Sequence, residues 1–142
     1  MKHSAIVIFI LSNLMLSATV QADGSKVALG GYDPVAYATT QKALYGDPKY
    51  ASEFEEKIYY FNNNNDKKTF DKEPAKFTNS VKYDTYCATG VAFGKKLVTF
   101  PNLVSIVDGK VYLFSAQGAK DLFDKDPKGM IAKAEANWDG LK

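Results

Sequence analysis

Two stretches of this chain follow one plan at a single fixed spacing, and no other feature limits the possible fold as strongly. Lys57-Ile58-Tyr59-Tyr60-Phe61 has its counterpart in Lys110-Val111-Tyr112-Leu113-Phe114. Phe70-Asp71-Lys72-Glu73-Pro74 returns as Phe123-Asp124-Lys125-Asp126-Pro127 at the same offset, without a gap. Lys67 and Lys120, and Pro48 and Pro101, also obey it. An ungapped match that includes prolines points to a duplicated supersecondary unit, because each proline restricts the backbone in the same way in both copies.

The second copy reads as a hairpin followed by helices. Leu103 to Val107 and Lys110 to Ser115 are strand-like runs joined by Asp108-Gly109, a strong two-residue hairpin signal. Ala116 to Lys125 has helical spacing, with Ala119, Leu122 and Phe123 predicted on one buried stripe. Pro127 either stops that helix or opens the next, which runs from Lys128 to Trp138 with Ile131, Ala134 and Trp138 in register. The first copy repeats this plan: strands Tyr50 to Phe54 and Ile58 to Asn62 about a turn at Glu55-Glu56, then a helix from Asn64 to Phe70. The asparagines from Asn62 to Asn65 are expected to form a loop and helix cap, since their side chains bond free backbone amides. Between the copies, Tyr83 to Gly94 predicts tight backbone packing or a helical turn bracketed by loops. Ahead of the first copy, Gly30 to Tyr37 predicts a turn into a short helix or strand. The expected class is α+β: a small single domain of two repeated hairpin–helix units, with antiparallel strands and short helices.

The N-terminus has the three parts of a secretory signal. Lys2 and His3 precede an apolar stretch from Ala5 to Leu16, and Val20-Gln21-Ala22 supplies the small-residue exit. The stretch is too short and too interrupted by Ser12 and Asn13 for a membrane span, which needs about 20 apolar residues. The expected division is therefore a signal peptide over 1–22 and one domain over 23–142, cleaved between Ala22 and Asp23. The product would be periplasmic or secreted, with no stable membrane anchor after cleavage. Cleavage would also remove His3, the only histidine, and two of the three methionines, leaving Met130. About 120 residues would remain, enough for one core. Cys87 is the sole cysteine, so no internal disulfide can form. The net charge of +2 falls to about +1, with no basic stripe of the kind nucleic-acid binding requires.

Four ordered segments resemble the YHS domain family in its exported bacterial form. They are Gly31-Tyr32-Asp33-Pro34-Val35-Ala36-Tyr37, Tyr86-Cys87-Ala88, Asp108-Gly109-Lys110-Val111-Tyr112-Leu113 and Ala136-Asn137-Trp138. The resemblance implies a small α+β domain whose relatives are associated with metal handling, often of copper or other heavy metals. Such relatives carry a tract like Phe-Cys-x-x-x-Cys, whose two thiolates hold a soft metal. Here Ser115 and Ala119 stand in those places, with Asn62 and Asp66 in the first copy. A closed soft-metal site needs three or four suitable ligands, and the mature chain would offer one thiol, one thioether and no imidazole. A serine triad or a cysteine–histidine pair also lacks its histidine.

Cys87 carries the most distinctive chemistry in the chain. A buried, packed thiol is the ordinary state of such a residue; a reactive thiol, a lone soft-metal ligand and an intermolecular disulfide are the alternatives. Asp33, ahead of Pro34, reads first as a turn or helix cap. Most of the tyrosines are expected at the core or its rim, where a cluster around a cleft would suit a small apolar or aromatic ligand. The leading expectation is an exported, non-enzymatic binding module for a metal ion such as copper or for a small ligand. Its candidate site is Cys87, Tyr86, Tyr37, Asp33 and Tyr112, with Cys87 as the metal ligand. The alternatives are a thiol-dependent redox or stress protein using Cys87, and a protein-interaction domain in which Cys87 is merely packed.

Overall fold

The computed structural model describes residues 26–142, so the expected signal peptide lies outside the described residues. Two antiparallel hairpins, β1 (Asp47–Phe54) with β2 (Lys57–Phe61) and β3 (Phe100–Val107) with β4 (Lys110–Phe114), form separate two-stranded sheets. Short helices surround them: α1 (Pro34–Thr40), α2 (Asn64–Lys72), α3 (Pro74–Thr78), α4 (Ala88–Ala92), α5 (Gln117–Lys125) and α6 (Pro127–Trp138). The protein is thus a small single α+β domain of two hairpin–helix units.

The duplication reaches into fine geometry. In the first hairpin the register slips between Asp47 and Ala51, in the second between Phe100 and Val104, which are equivalent positions. Pro48 and Pro101 lie inside these slips, where the missing N–H costs no ladder bond. Glu55 and Glu56 turn the first hairpin with φ of 49° and 62°, and Asp108 and Gly109 turn the second with 50° and 72°. Two positive φ values give the turn whose twist matches a right-handed hairpin. Ser52 donates to Asp71, which also pairs with Lys67; Ser105 donates to Asp124, which pairs with Lys120. Each trio ties a strand to the helix that follows it.

Packing explains why the aromatic positions repeat. Phe70 from α2 sits 5.0 Å from the rings of both Tyr59 and Phe61 and 6.2 Å from Phe77. Phe123 from α5 likewise lies 5.2 Å from Tyr112 and 5.1 Å from Phe114. Each nine-residue helix thus buries one phenylalanine in its last turn, worth on the order of 2–3 kcal/mol in transfer free energy. Leu122, predicted on the buried stripe, is instead exposed. Phe123 and Ala119 form the face of α5 packed on the core, and Leu122 falls outside it. Pro127 opens α6 and Pro74 opens α3, each as the first helical residue. Asn63 caps α2 by accepting from the Asp66 amide, in line with the expectation for the asparagine run.

A third apolar cluster joins the copies. Leu29 and Tyr37 from the N-terminal part pack with Val111 and Leu113 of β4, with Val104 and Ile106 of β3 alongside. Val111 and Leu113 face this junction while Tyr112 and Phe114 face the second copy's own core, so β4 is buried on both sides. The Tyr37 hydroxyl donates to the Pro101 carbonyl at 2.6 Å and locks the junction.

Candidate functional site

The duplication begins earlier than the sequence match suggests. Leu29, Gly30 and Gly31 have φ of 55°, 57° and 86°, forming a left-handed turn before Tyr32 and Asp33. Tyr83, Asp84 and Thr85 form the same turn, with φ of 58°, 48° and 70°, before Tyr86 and Cys87. Asp33 then caps α1 and Cys87 caps α4, with similar backbone angles. The Asp33 amide donates to Leu44 O and the Cys87 amide to Leu97 O, again equivalent positions. The segments lying ahead of the first sequence match and between the two are therefore the opening elements of the two copies. One extra residue between the cap and the bend, within α1 relative to α4, hides this from an ungapped comparison.

Asp33 and Cys87 occupy corresponding corners. Asp33 is fully buried; one carboxylate oxygen accepts from Val35 N and Ala36 N, the other from Asn62 N at 2.8 Å. Burial pushes its carboxyl up to about 6 against the opposing pull of those amides. Cys87 is also fully buried; its sulfur accepts from Gly90 N at 3.4 Å and from the Ser115 hydroxyl at 3.4 Å. Asn62 and Ser115 are themselves equivalent, each following the last strand of its hairpin. Ala119, the second place where the resemblance implies a thiolate, is close by: its carbonyl accepts from Thr89 Oγ1 at 2.7 Å.

The candidate residues divide among several environments. Tyr37 is buried at the junction, its hydroxyl raised by desolvation and bonded to Pro101. Tyr112 lies in the second copy's core, its ring 6.0 Å from Tyr83. Cys87 belongs to that same core and Asp33 to the first copy's corner. Only Tyr86 reaches an open cleft. Among the described residues no three histidine, cysteine or acidic side chains converge as a metal would require.

The sequence allows for a tyrosine-lined cleft but does not place one, and Tyr59, Tyr83 and Tyr86 line the cleft found here. It measures about 720 Å³, within the range of small-molecule sites, and opens along the junction of the two copies. Both left-handed turns contribute, through Leu29-Gly30 and Tyr83-Asp84-Thr85, together with Tyr59, Tyr86, Val98, Thr99 and Trp138. Lys26, Lys57, Lys82 and Lys142 line it, against Glu55 and Asp84. The Tyr83–Thr85 turn is held in place by its surroundings. Tyr83 donates to Glu135 Oε1 at 3.1 Å, Lys82 pairs with the same oxygen at 2.9 Å, and Trp138 packs edge-on to the Tyr83 ring. Three consecutive non-glycine residues at positive φ are costly, and such strain concentrates where a ligand or switch needs it. The signal that could have found this site is Tyr83-Asp84-Thr85 standing in register with Leu29-Gly30-Gly31, legible only once the one-residue shift is known. Comparison with protein-family models, curated proteins and solved structures returned no match for this chain.

Proposed function

We propose that this chain is an exported, non-enzymatic binding module whose small ligand enters the cleft between the two copies. The observation carrying this reading is the strained turn Tyr83–Thr85 held in the cleft wall beside Tyr86 and Trp138. Aromatic faces supply apolar contact while the lysines favour an anionic group, so a small aromatic or apolar anion is the matching chemistry. Export rests on the N-terminal pattern, and the binding role also draws on the YHS resemblance. The chain's only thiol, its strongest potential nucleophile, serves as a buried helix cap, which favours binding over catalysis.

The test is an NMR titration of isotope-labelled protein with a library of small aromatic carboxylates. Shifts should gather at Tyr86, Thr99 and the Trp138 indole, and Val98→Asp with Lys57→Glu should weaken them. Shifts confined to another surface, or none across the library, would overturn the cleft assignment. A parallel titration with copper(I) examines the metal form: stoichiometric uptake abolished by Cys87→Ser would move the site to the Cys87 corner.

A further inference from the structure

We propose that the loop from Phe93 to Phe100 docks this protein peripherally onto an anionic lipid surface. Of the six large apolar side chains exposed among the described residues, four fall in these eight positions: Phe93 (57%), Leu97 (42%), Val98 (83%) and Phe100 (61%). They are interleaved with Gly94, Lys95, Lys96 and Thr99 and form no regular element until β3 begins at Phe100. Scattered exposed apolar residues are ordinary, but a run of them with lysines between is not.

The duplication provides an internal control for what the fold needs here. Thr40 stands where Phe93 does, Lys42 for Lys95, Ala43 for Lys96, Leu44 for Leu97, Tyr45 for Val98 and Asp47 for Phe100. The bend itself is preserved, since Gln41 and Gly94 both take positive φ at the equivalent point. In the first copy Thr40 satisfies its hydroxyl on Ala36 O and Asp47 pairs with Lys49, so polar groups serve the same backbone. Relative to that copy, this loop has gained two phenylalanines and a lysine. Folding alone does not call for them.

The combination matches an anionic bilayer. Phenylalanine, leucine and valine favour the boundary between headgroups and acyl chains, and adjacent lysines add attraction to anionic lipid of about 1 kcal/mol each. Neither Lys95 nor Lys96 has an ion-pair partner among the described residues; the Lys96 ammonium lies 4.6 Å from the Tyr86 ring centroid and 5.9 Å from that of Trp138. A protein partner fits less well, because interface cores deplete lysine and favour arginine, and every cation of this chain is lysine. Only side chains need enter the apolar layer, which leaves the irregular backbone hydrated at headgroup level. This surface adjoins the cleft, and Val98 and Thr99 border both.

The experiment is flotation of protein from cells expressing the full chain, with vesicles of phosphatidylglycerol and phosphatidylethanolamine or of phosphatidylcholine alone. Wild type should rise with the anionic vesicles at low salt and much less with phosphatidylcholine or at high salt. Phe93→Thr with Phe100→Asp, which installs the first copy's residues, should reduce partition at least roughly ten-fold with an unchanged melting curve. If that variant fails to fold, Lys95→Gln with Lys96→Gln serves instead and should give a similar loss at low salt. Absence of wild-type flotation, or equal flotation of the folded variants, overturns the proposal. So does lipid-free self-association that the phenylalanine substitutions abolish, which would make a second copy the occupant.

Discussion

The Ser115 hydroxyl donates to the Cys87 sulfur at 3.4 Å, just as the Asn62 amide donates to the Asp33 carboxylate at 2.8 Å in the other copy. A thiol in one copy and a carboxylate in the other thus fill the same structural role, since each caps a short helix and fastens it to the end of a hairpin.

This equivalence makes Cys87 a structural residue first. Cys87→Ala removes the cap acceptor and leaves a small void, and should destabilise the protein by about 1–2 kcal/mol. Cys87→Ser retains an acceptor and should cost less. Denaturant melts of the two variants compare these effects. Alkylation of wild type by iodoacetamide should be strongly suppressed until the protein unfolds; rapid labelling of the folded protein would instead support the redox alternative.

The same corner should accept a designed metal site. Ser115 bonds the Cys87 sulfur, and Ala119 packs against the same core with its carbonyl bonded to Thr89 of α4, so Ser115→Cys with Ala119→Cys would bring two further thiols to the Cys87 corner. Three thiolates with an open fourth position suit a soft or borderline cation. The double variant should bind zinc stoichiometrically in a chromophoric chelator competition, and adding Cys87→Ser should weaken binding by at least about ten-fold.

Asp33 gives the stability a distinctive pH dependence. Its folded-state pKa, raised chiefly by burial to about 6, lies above the usual carboxylate value, so the fold binds its proton more tightly than the unfolded chain. Its contribution is fully present below about pH 4 and is lost as pH rises through about 6, by about 3 kcal/mol for a shift of about two units. At Asp71 and Asp124 burial pulls upward, but bonds from lysine and serine outweigh it and hold both carboxyls low. Their contributions are lost as pH falls below this window. Urea melts from pH 4 to 7 should show declining stability from Asp33, and Asp33→Asn should flatten that slope. The variant should also be less stable at pH 4–5, where an amide serves the three backbone donors less well.

Strain in the cleft wall is measurable by glycine substitution. Thr85 is β-branched at φ 70°, so Thr85→Gly should stabilise the protein by about 1 kcal/mol, raising its melting temperature by about 4 °C. Gln41→Gly, at φ 56° after α1 and outside the cleft lining, should give a similar gain remote from ligand chemistry. Loss of carboxylate binding with Thr85→Gly but not with Gln41→Gly would tie the strained turn to the cleft's function.

The sequence by itself determined the elements whose chemistry is local. Asp108-Gly109 dictates its turn, Asn63 its cap, and Pro74 and Pro127 begin helices because their rings suit a first turn. Phe70 and Phe123 declare the repeat because each must fill the same pocket above a hairpin. Tertiary structure alone decided that the copies start at Leu29 and Tyr83, that Leu122 faces water, and that Cys87 and Tyr112 join a core while Tyr86 borders a cleft. The left-handed turns and caps depend on backbone angles, which Gly30-Gly31 and Asp84-Thr85 satisfy with different side chains. The cleft exists only because two folded copies meet, and no local pattern of residues encodes a surface made by that junction.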